Sequence, residues 1–290
     1  MSMFADRLIE TTDRFGPLCV GIDPHPGRIP ELFGGDTPDG VKVWGEAVVA
    51  IAKGRVAAIK PQVGLFERLG PEGMTAFQAV CRAGREAGLL VLADAKRGDI
   101  GSTAVGYAKA YLAPEAPFPA DAVTINPYMG LDTIEPFLAE AEANGKGVIV
   151  LARTSNPGSA DFQSKSLDGA PLYQRVVEAL APAINRLTGT SGWSGLMLVT
   201  GATGPDEARA LRALAPKALF LIPGYGAQGA GAKDAVASFV SGKGGLVNAS
   251  RSVTFPAGSE SANTSDQWAT FISDAIDAAQ AELKVAAAAV

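Results

Sequence analysis

Eight short runs of apolar and β-branched residues recur along the chain, at positions 18–22, 56–59, 89–93, 122–125, 148–151, 196–199, 218–222 and 246–247. All are short and mostly apolar at successive positions, as expected of strands buried on both faces. Between nearly all of them the period becomes helical. Ile134, Phe137, Leu138 and Ala141 follow i, i+3, i+4, i+7 spacing with Gly145 as a stop signal, and Trp268, Phe271, Ile272, Ala275, Ile276 and Ala279 repeat the pattern near the C-terminus. Pro205, followed by Asp206 and Glu207, opens a further helix, because proline suits a first turn and acidic groups suit the positive end of the helix dipole. A helix around Phe4, Leu8 and Ile9 precedes the first strand, and the alanine-rich end at 285–290 is expected to fray.

Strands alternating with helices predict an α/β protein, a single (β/α)8 TIM barrel spanning 1–290, with an open doubly wound sheet as the alternative. The segments 24–40, 155–170 and 251–266 are long, and each follows a strand, the first, fifth and eighth. In such barrels the loops after strands build the active site, whereas helix-to-strand turns stay short. A chain of 290 residues, 47% of them hydrophobic, can bury the core this requires.

Charge and composition narrow the function. With 25 Lys+Arg against 30 Asp+Glu, a net charge of −5 and no run of like charges, the chain has no nucleic-acid footprint, so any phosphate must be bound locally. No apolar run approaches the roughly 20 residues of a membrane span, which predicts a soluble, cytoplasmic protein without a membrane partner. Cys19 and Cys81 both fall at apolar positions and read as core residues rather than as a disulfide or metal framework. The single histidine, His25, lies between two prolines in an entry loop, which argues against a multi-histidine zinc site; no metal is expected.

The chemistry concentrates in Val91-Leu-Ala-Asp-Ala-Lys-Arg-Gly-Asp-Ile100, where an apolar strand ends in charge. Residues two apart on a strand share a side, so Asp94 and Lys96 face the same way and each favours the other's ionised form. Taken alone, the pair also reads as a salt bridge capping a strand. If the second strand neighbours the third at about 4.8 Å, Lys60 at its end reaches the same barrel mouth. Asp23 ends the first strand on the same rim; a solvated loop carboxylate and a surface lysine are the plainer readings of Asp23 and Lys60. Asp99 lies past the strand end and can point elsewhere. After the seventh strand, Ile222-Pro-Gly-Tyr-Gly-Ala-Gln-Gly-Ala-Gly231 offers backbone N–H groups to an anion, and Arg251 follows the eighth strand; these adjacent loops are where barrels commonly bind phosphate. No P-loop or G-x-G-x-x-G spacing supports ATP or dinucleotide binding.

The elements Leu18-Cys-Val-Gly-Ile-Asp-Pro24, Ile59-Lys-Pro61, Asp94-Ala-Lys-Arg-Gly-Asp-Ile100, Thr154-Ser-Asn-Pro-Gly158, Ile222-Pro-Gly-Tyr-Gly-Ala-Gln228 and Ser250-Arg251, in this order, resemble the orotidine 5′-phosphate decarboxylase family, in its longer bacterial subgroup. The stretch Lys60-Pro-Gln-Val63 departs from the Lys-Ile-Gly form of shorter members. The resemblance implies that Lys60, Asp94, Lys96 and Asp99 form a charged catalytic tetrad, with Asp99 donated to the partner subunit of a homodimer and Ile100 and Thr103 crossing the interface with it. It implies that Asp23 contacts the ribose, that Ser155 hydrogen-bonds the pyrimidine edge, and that Pro223, Gln228 and Arg251 close over base and phosphate. At Ser250, often glycine in the family, it implies a backbone contact alone. The implied reaction converts orotidine 5′-phosphate to uridine 5′-phosphate and carbon dioxide in de novo pyrimidine biosynthesis without a cofactor, through a C6 carbanion that Lys96 stabilises and protonates. Two alternatives stand beside it. One is a Mg²⁺-dependent sugar-phosphate decarboxylase or aldolase, which would need a metal-binding glutamate where Lys60 stands; the other is a barrel that binds a nucleotide without turnover.

Overall fold

The structure, a computed structural model, describes residues 2–226 and 229–290. Eight parallel strands close into a barrel: β1 Leu18–Ile22, β2 Ala58–Pro61, β3 Leu90–Arg97, β4 Ala122–Ile125, β5 Gly147–Arg153, β6 Ser194–Thr200, β7 Ala218–Ile222 and β8 Gly245–Ala249. The order around the barrel is sequential, with β1 closing on β8 through Leu18 opposite Val247. This is the (β/α)8 barrel, not the open sheet, and each strand lies within a few residues of its apolar run. The differences lie at the strand ends: β2 begins at Ala58 and runs through Lys60, and β3 continues to Arg97. Both carry charge beyond the apolar segment, and neighbouring strands, which the apolar pattern cannot count, hold these extensions in place.

Strand parity divides the core in two. Leu18, Val20 and Ile22 face the helices, whereas Cys19, Ala58, Leu90, Leu92, Ala122, Ile149, Met197, Leu219 and Leu246 fill the barrel interior. Phe4, Ala5 and Leu8, from the helix Phe4–Phe15, join the interior cluster. Asp6 accepts N–H bonds from Thr190 and Ser191, and Arg7 pairs with Asp121 at 2.8 Å, so this helix is tied to the loops that enter β4 and β6. It therefore covers the end of the barrel where the strands begin. The Phe4 ring comes so close to β5 that a Cβ on Gly147 would stand 2.5 Å from it, which explains glycine there. With that end shut, the opening lies at the strands' C-terminal ends.

The long loops are at that open end and are packed down by aromatics. Phe33, after β1, meets Trp268 edge-on at 4.7 Å, and Phe255, after β8, stacks on Trp44 at 5.2 Å. The segment after β5 holds an antiparallel hairpin, Ser166–Leu167 with Ala170–Pro171, whose Asp168-Gly169 turn has positive φ at both positions. Asp-Gly is the dipeptide such a tight turn favours. The helix Glu135–Asn144 ends at Gly145 with φ 62, and the helix Pro205–Leu214 starts at its proline, as the sequence predicts. The C-terminus does not fray where expected: helix Ser265–Ala287 runs on because Ala286 and Ala287 are buried, and Gly242 donates to the Val290 carbonyl. Both cysteines are free and buried in the core, and burial pushes the Cys19 thiol up to about 12.

Phe4→Ala should leave the barrel fold intact but lower its stability by about 3–5 kcal/mol, since a buried ring is removed and the floor cannot collapse into the space. A urea titration monitored by circular dichroism reads this directly.

Candidate active site

The side chains that matter follow from strand parity. Ala58, Leu92, Ala122 and Leu246 point into the barrel, so Lys60, Asp94, Thr124 and Asn248, each two residues further on, form the next inward layer towards the open end. They line a cavity of about 380 Å³, in the range of small-molecule sites, together with Asp23, Gln62, Lys96, Ser155, Pro223, Ser250 and Arg251.

At its base Asp94, 6% exposed, is hydrogen-bonded on both oxygens. Its Oδ2 accepts from Lys60 Nζ at 2.8 Å and from Gln62 Nε2 at 2.8 Å; its Oδ1 accepts from Lys96 Nζ at 2.5 Å and from Thr124 Oγ1 at 3.0 Å. Burial on its own would raise the carboxyl's pKa, but Lys60 and then Lys96 outweigh it and hold Asp94 well below the usual carboxylate range. Burial would likewise discharge Lys60, yet Asp94 and then Asp23 push its ammonium above the usual lysine range. Asp23 Oδ1 lies 3.9 Å from Lys60 Nζ, which completes a run of alternating charge. The two lysines differ in access: the Lys60 side chain is 5% exposed and that of Lys96 47%, so Lys96 is the cation a bound molecule can reach.

Three buried oxygens on this cavity have no hydrogen-bond partner among the described residues: Asp23 Oδ1, Asn248 Oδ1 and Ser250 Oγ. Buried polar atoms are nearly always satisfied, so three orphans lining one cavity mark a place built for a polar ligand. On the neighbouring loops, Gly224 and Gly226 take φ 107 and 72 after β7, and Arg251 opens the short helix Arg251–Thr254 after β8. Arg251 is thus placed at the cavity beside the glycine-rich loop.

The structure brings Asp23, Lys60, Asp94, Lys96, Ser155, Pro223, Ser250 and Arg251 together. Gln228 lies outside the described residues. Asp99, Ile100 and Thr103 do not line this cavity: Asp99 Oδ1 accepts the Ile100 N–H at 2.8 Å, Ile100 is 62% exposed, and Thr103 faces outward. Sequence reasoning missed Gln62, Thr124 and Asn248. A signal existed for the last two, each a single polar residue inside an apolar strand and in phase with the interior positions of its own strand. Among the described residues no cluster of His, Cys, Asp and Glu is arranged to hold a metal ion, and no helix is long and apolar enough to cross a membrane.

Known proteins resemble this chain in sequence and fold. The sequence profile of the orotidine 5′-phosphate decarboxylase / HUMPS family matches residues 16–263. The orotidine 5′-phosphate decarboxylase of Clostridium perfringens (strain SM101) is 39% identical over 255 residues, 87% of this chain and 88% of that one. That of Salinispora tropica is 42% identical over 235 residues, 81% of this chain and 83% of that one. Among solved structures, Leishmania donovani OMP decarboxylase superposes with a TM-score of 0.74 at 33% identity, covering 97% of this chain and 99% of that one. A Streptomyces avermitilis structure assigned provisionally to the same enzyme gives 0.86 at 33% identity, covering 100% and 97%.

Asp94→Asn should destabilise the protein by about 3 kcal/mol at neutral pH, because it leaves Lys60 buried without its main counterion. A carboxyl with a depressed folded-state pKa adds stability that is fully present above its unfolded value, 3.8, and is lost as pH falls through the lower folded value. The gap between wild type and variant should therefore narrow below that pH, as read from urea midpoints across an acid series.

Proposed function

The chain belongs to the orotidine 5′-phosphate decarboxylase / HUMPS family, and we propose that it converts orotidine 5′-phosphate to uridine 5′-phosphate and carbon dioxide in pyrimidine biosynthesis. The observation that carries this reading is the Asp23–Lys60–Asp94–Lys96 array at the base of a nucleotide-sized cavity. Breaking the C6–carboxylate bond leaves the electron pair on C6, in the ring plane, where π delocalisation offers little. A fixed positive charge in a poorly solvated pocket is what such an anion needs. Lys96, hydrogen-bonded to Asp94 and open to the cavity, stabilises the developing charge and then transfers an Nζ proton to C6; solvent restores the proton. Lys60 lies between Asp23 and Asp94 and offsets one of their two charges. Asp23 takes the ribose hydroxyls, Ser155 the pyrimidine edge, and Arg251, with Pro223, Gln228 and the backbone around Ser250, closes over base and phosphate. Phosphate binding energy remote from the reacting bond then serves to close the loops over the array.

A Mg²⁺-dependent sugar-phosphate reaction fits this site poorly. At the end of β2, where that chemistry needs an oxygen ligand, stands the Lys60 ammonium, and both Asp94 oxygens are already taken. A barrel that only bound nucleotide would have no need of a lysine held beside a buried carboxylate. Asp99 does not line its own chain's cavity, and Ile100 and Thr103 beside it in sequence are exposed, which supports a homodimer in which Asp99 enters the partner's site. A role in pyrimidine biosynthesis supports a cytoplasmic location.

Lys96→Ala should reduce turnover of orotidine 5′-phosphate by at least about 10²–10⁴-fold while uridine 5′-phosphate still binds; the ultraviolet change on substrate consumption and product calorimetry measure the two. Near-normal turnover would remove Lys96 from this role. Arg251→Ala should weaken uridine 5′-phosphate binding by about 10–100-fold, the worth of a charge-assisted hydrogen bond, and leave uridine binding nearly unchanged. Equal weakening of both ligands contradicts the phosphate assignment.

A further inference from the structure

The β3–β4 ladder slips at the active site. Ala93 pairs with Val123 and Arg97 with Ile125, so four steps along β3 correspond to two along β4, and Thr124 alone faces Asp94, Ala95 and Lys96. Such a bulge re-aims side chains and takes backbone groups out of the ladder. Within it Lys96 adopts φ 50, a left-handed conformation that is costly for any residue bearing a Cβ. Strained backbone of this kind persists only where its surroundings over-determine it.

Thr124 supplies that constraint. Its side chain is buried, and its Oγ1 accepts the Lys96 N–H at 2.9 Å in place of a ladder carbonyl. The same hydroxyl donates to Asp94 Oδ1 at 3.0 Å, the oxygen that holds Lys96 Nζ. One hydroxyl therefore closes a ring that runs from the Lys96 backbone through Thr124 and Asp94 to the Lys96 ammonium. Beyond the bulge the strand is clamped again: Asn126 donates to the Arg97 carbonyl at 2.8 Å, and the Arg97 guanidinium is tied to Glu67 and to Tyr111. The Arg97 guanidinium also donates to the Ala95 carbonyl at 3.4 Å, while Lys60 and Gln62 bond Asp94.

We propose that Thr124 is a positioning residue, whose hydroxyl locks the Lys96 backbone and the Asp94 carboxylate to each other and so aims the Lys96 ammonium into the cavity. The proposal rests on the reading of Lys96 as the group that faces the reacting carbon. It separates two properties that a packing role would tie together. The hydroxyl touches no part of the phosphate or ribose subsites, so its loss should alter the chemical step and spare nucleotide binding.

Thr124→Val keeps the shape and removes both hydrogen bonds; Thr124→Ser keeps the hydroxyl. In the valine variant kcat should fall about 100-fold, the scale on which a small misplacement of a catalytic group acts, while the Kd for uridine 5′-phosphate stays near wild type; serine should recover most of kcat. A crystal structure of the valine variant should show Lys96 out of the left-handed region and its ammonium separated from Asp94. Wild-type kcat in Thr124→Val, a loss that serine does not recover, or a valine-variant structure with Lys96 still left-handed on Asp94 would each overturn the proposal. If the wild-type chain consumed no orotidine 5′-phosphate, the substrate reading would fall, and the valine-variant structure would still decide whether Thr124 sets the Lys96 geometry.

Discussion

A single buried carboxylate shared between two ammonium groups is the interaction on which this site depends. Taking Asp94 out of water as an isolated ion would cost several kcal/mol, and the same holds for Lys60. Four donors on two oxygens offset that cost only because three strands, β2, β3 and β4, deliver them to one point. The closed barrel is thus a condition of the chemistry. An open sheet would bring strands side by side but would leave these charges on a wettable face, where pairs of this kind are worth little.

Polarity along the barrel axis follows from the same economy of charge. The lower interior is apolar and closed by the buried side chains of Phe4 and Leu8, which keeps the base of the array in a low-dielectric surrounding. Towards the opening the inward positions become Lys60, Asp94, Thr124 and Asn248 on their four strands, while Leu151, Val199 and Leu221 keep one wall apolar. A flat ring with polar edges suits such a cavity: the apolar wall takes its face, and the orphaned oxygens and loop residues take its substituents.

Much of this was legible in the sequence, for identifiable reasons. Strands buried on both faces announce themselves by unbroken apolar runs, and all eight barrel strands appear where such runs fall. Lys60, Asp94 and Lys96 stood out because charge at the end of an apolar strand demands a partner. What stayed hidden depended on register. Thr124 resembles an ordinary strand threonine until β4 is laid against β3 with two residues skipped, and Gln62 becomes an Asp94 ligand only through the bridge that prolongs β2 alongside it. The hairpin after β5 was concealed by its brevity, two residues per strand, although its Asp-Gly turn was in plain view. Asp99 illustrates the converse: the sequence singled it out, but its position beyond the bulge points it away from its own cavity.

The charges in the array balance, with Asp23 and Asp94 against Lys60 and Lys96. An anionic ligand must therefore draw its net attraction from Arg251 and the glycine-rich loop, and the array is left to discriminate between states of the reacting group. On the proposed reading, that group carries one negative charge as a carboxylate and one as a C6 carbanion; the charge does not change in amount but contracts onto a single atom nearer Lys96. Catalysis then depends on the ammonium already being where the contracted charge will be, because any reorganisation would spend the advantage. A lysine free to follow its counterion would track the carboxylate instead. The left-handed backbone at Lys96, the bulge around it and the carboxylate hydrogen-bonded on both oxygens all restrict that freedom, and among the described non-glycine residues lining the cavity only Lys96 takes a positive φ.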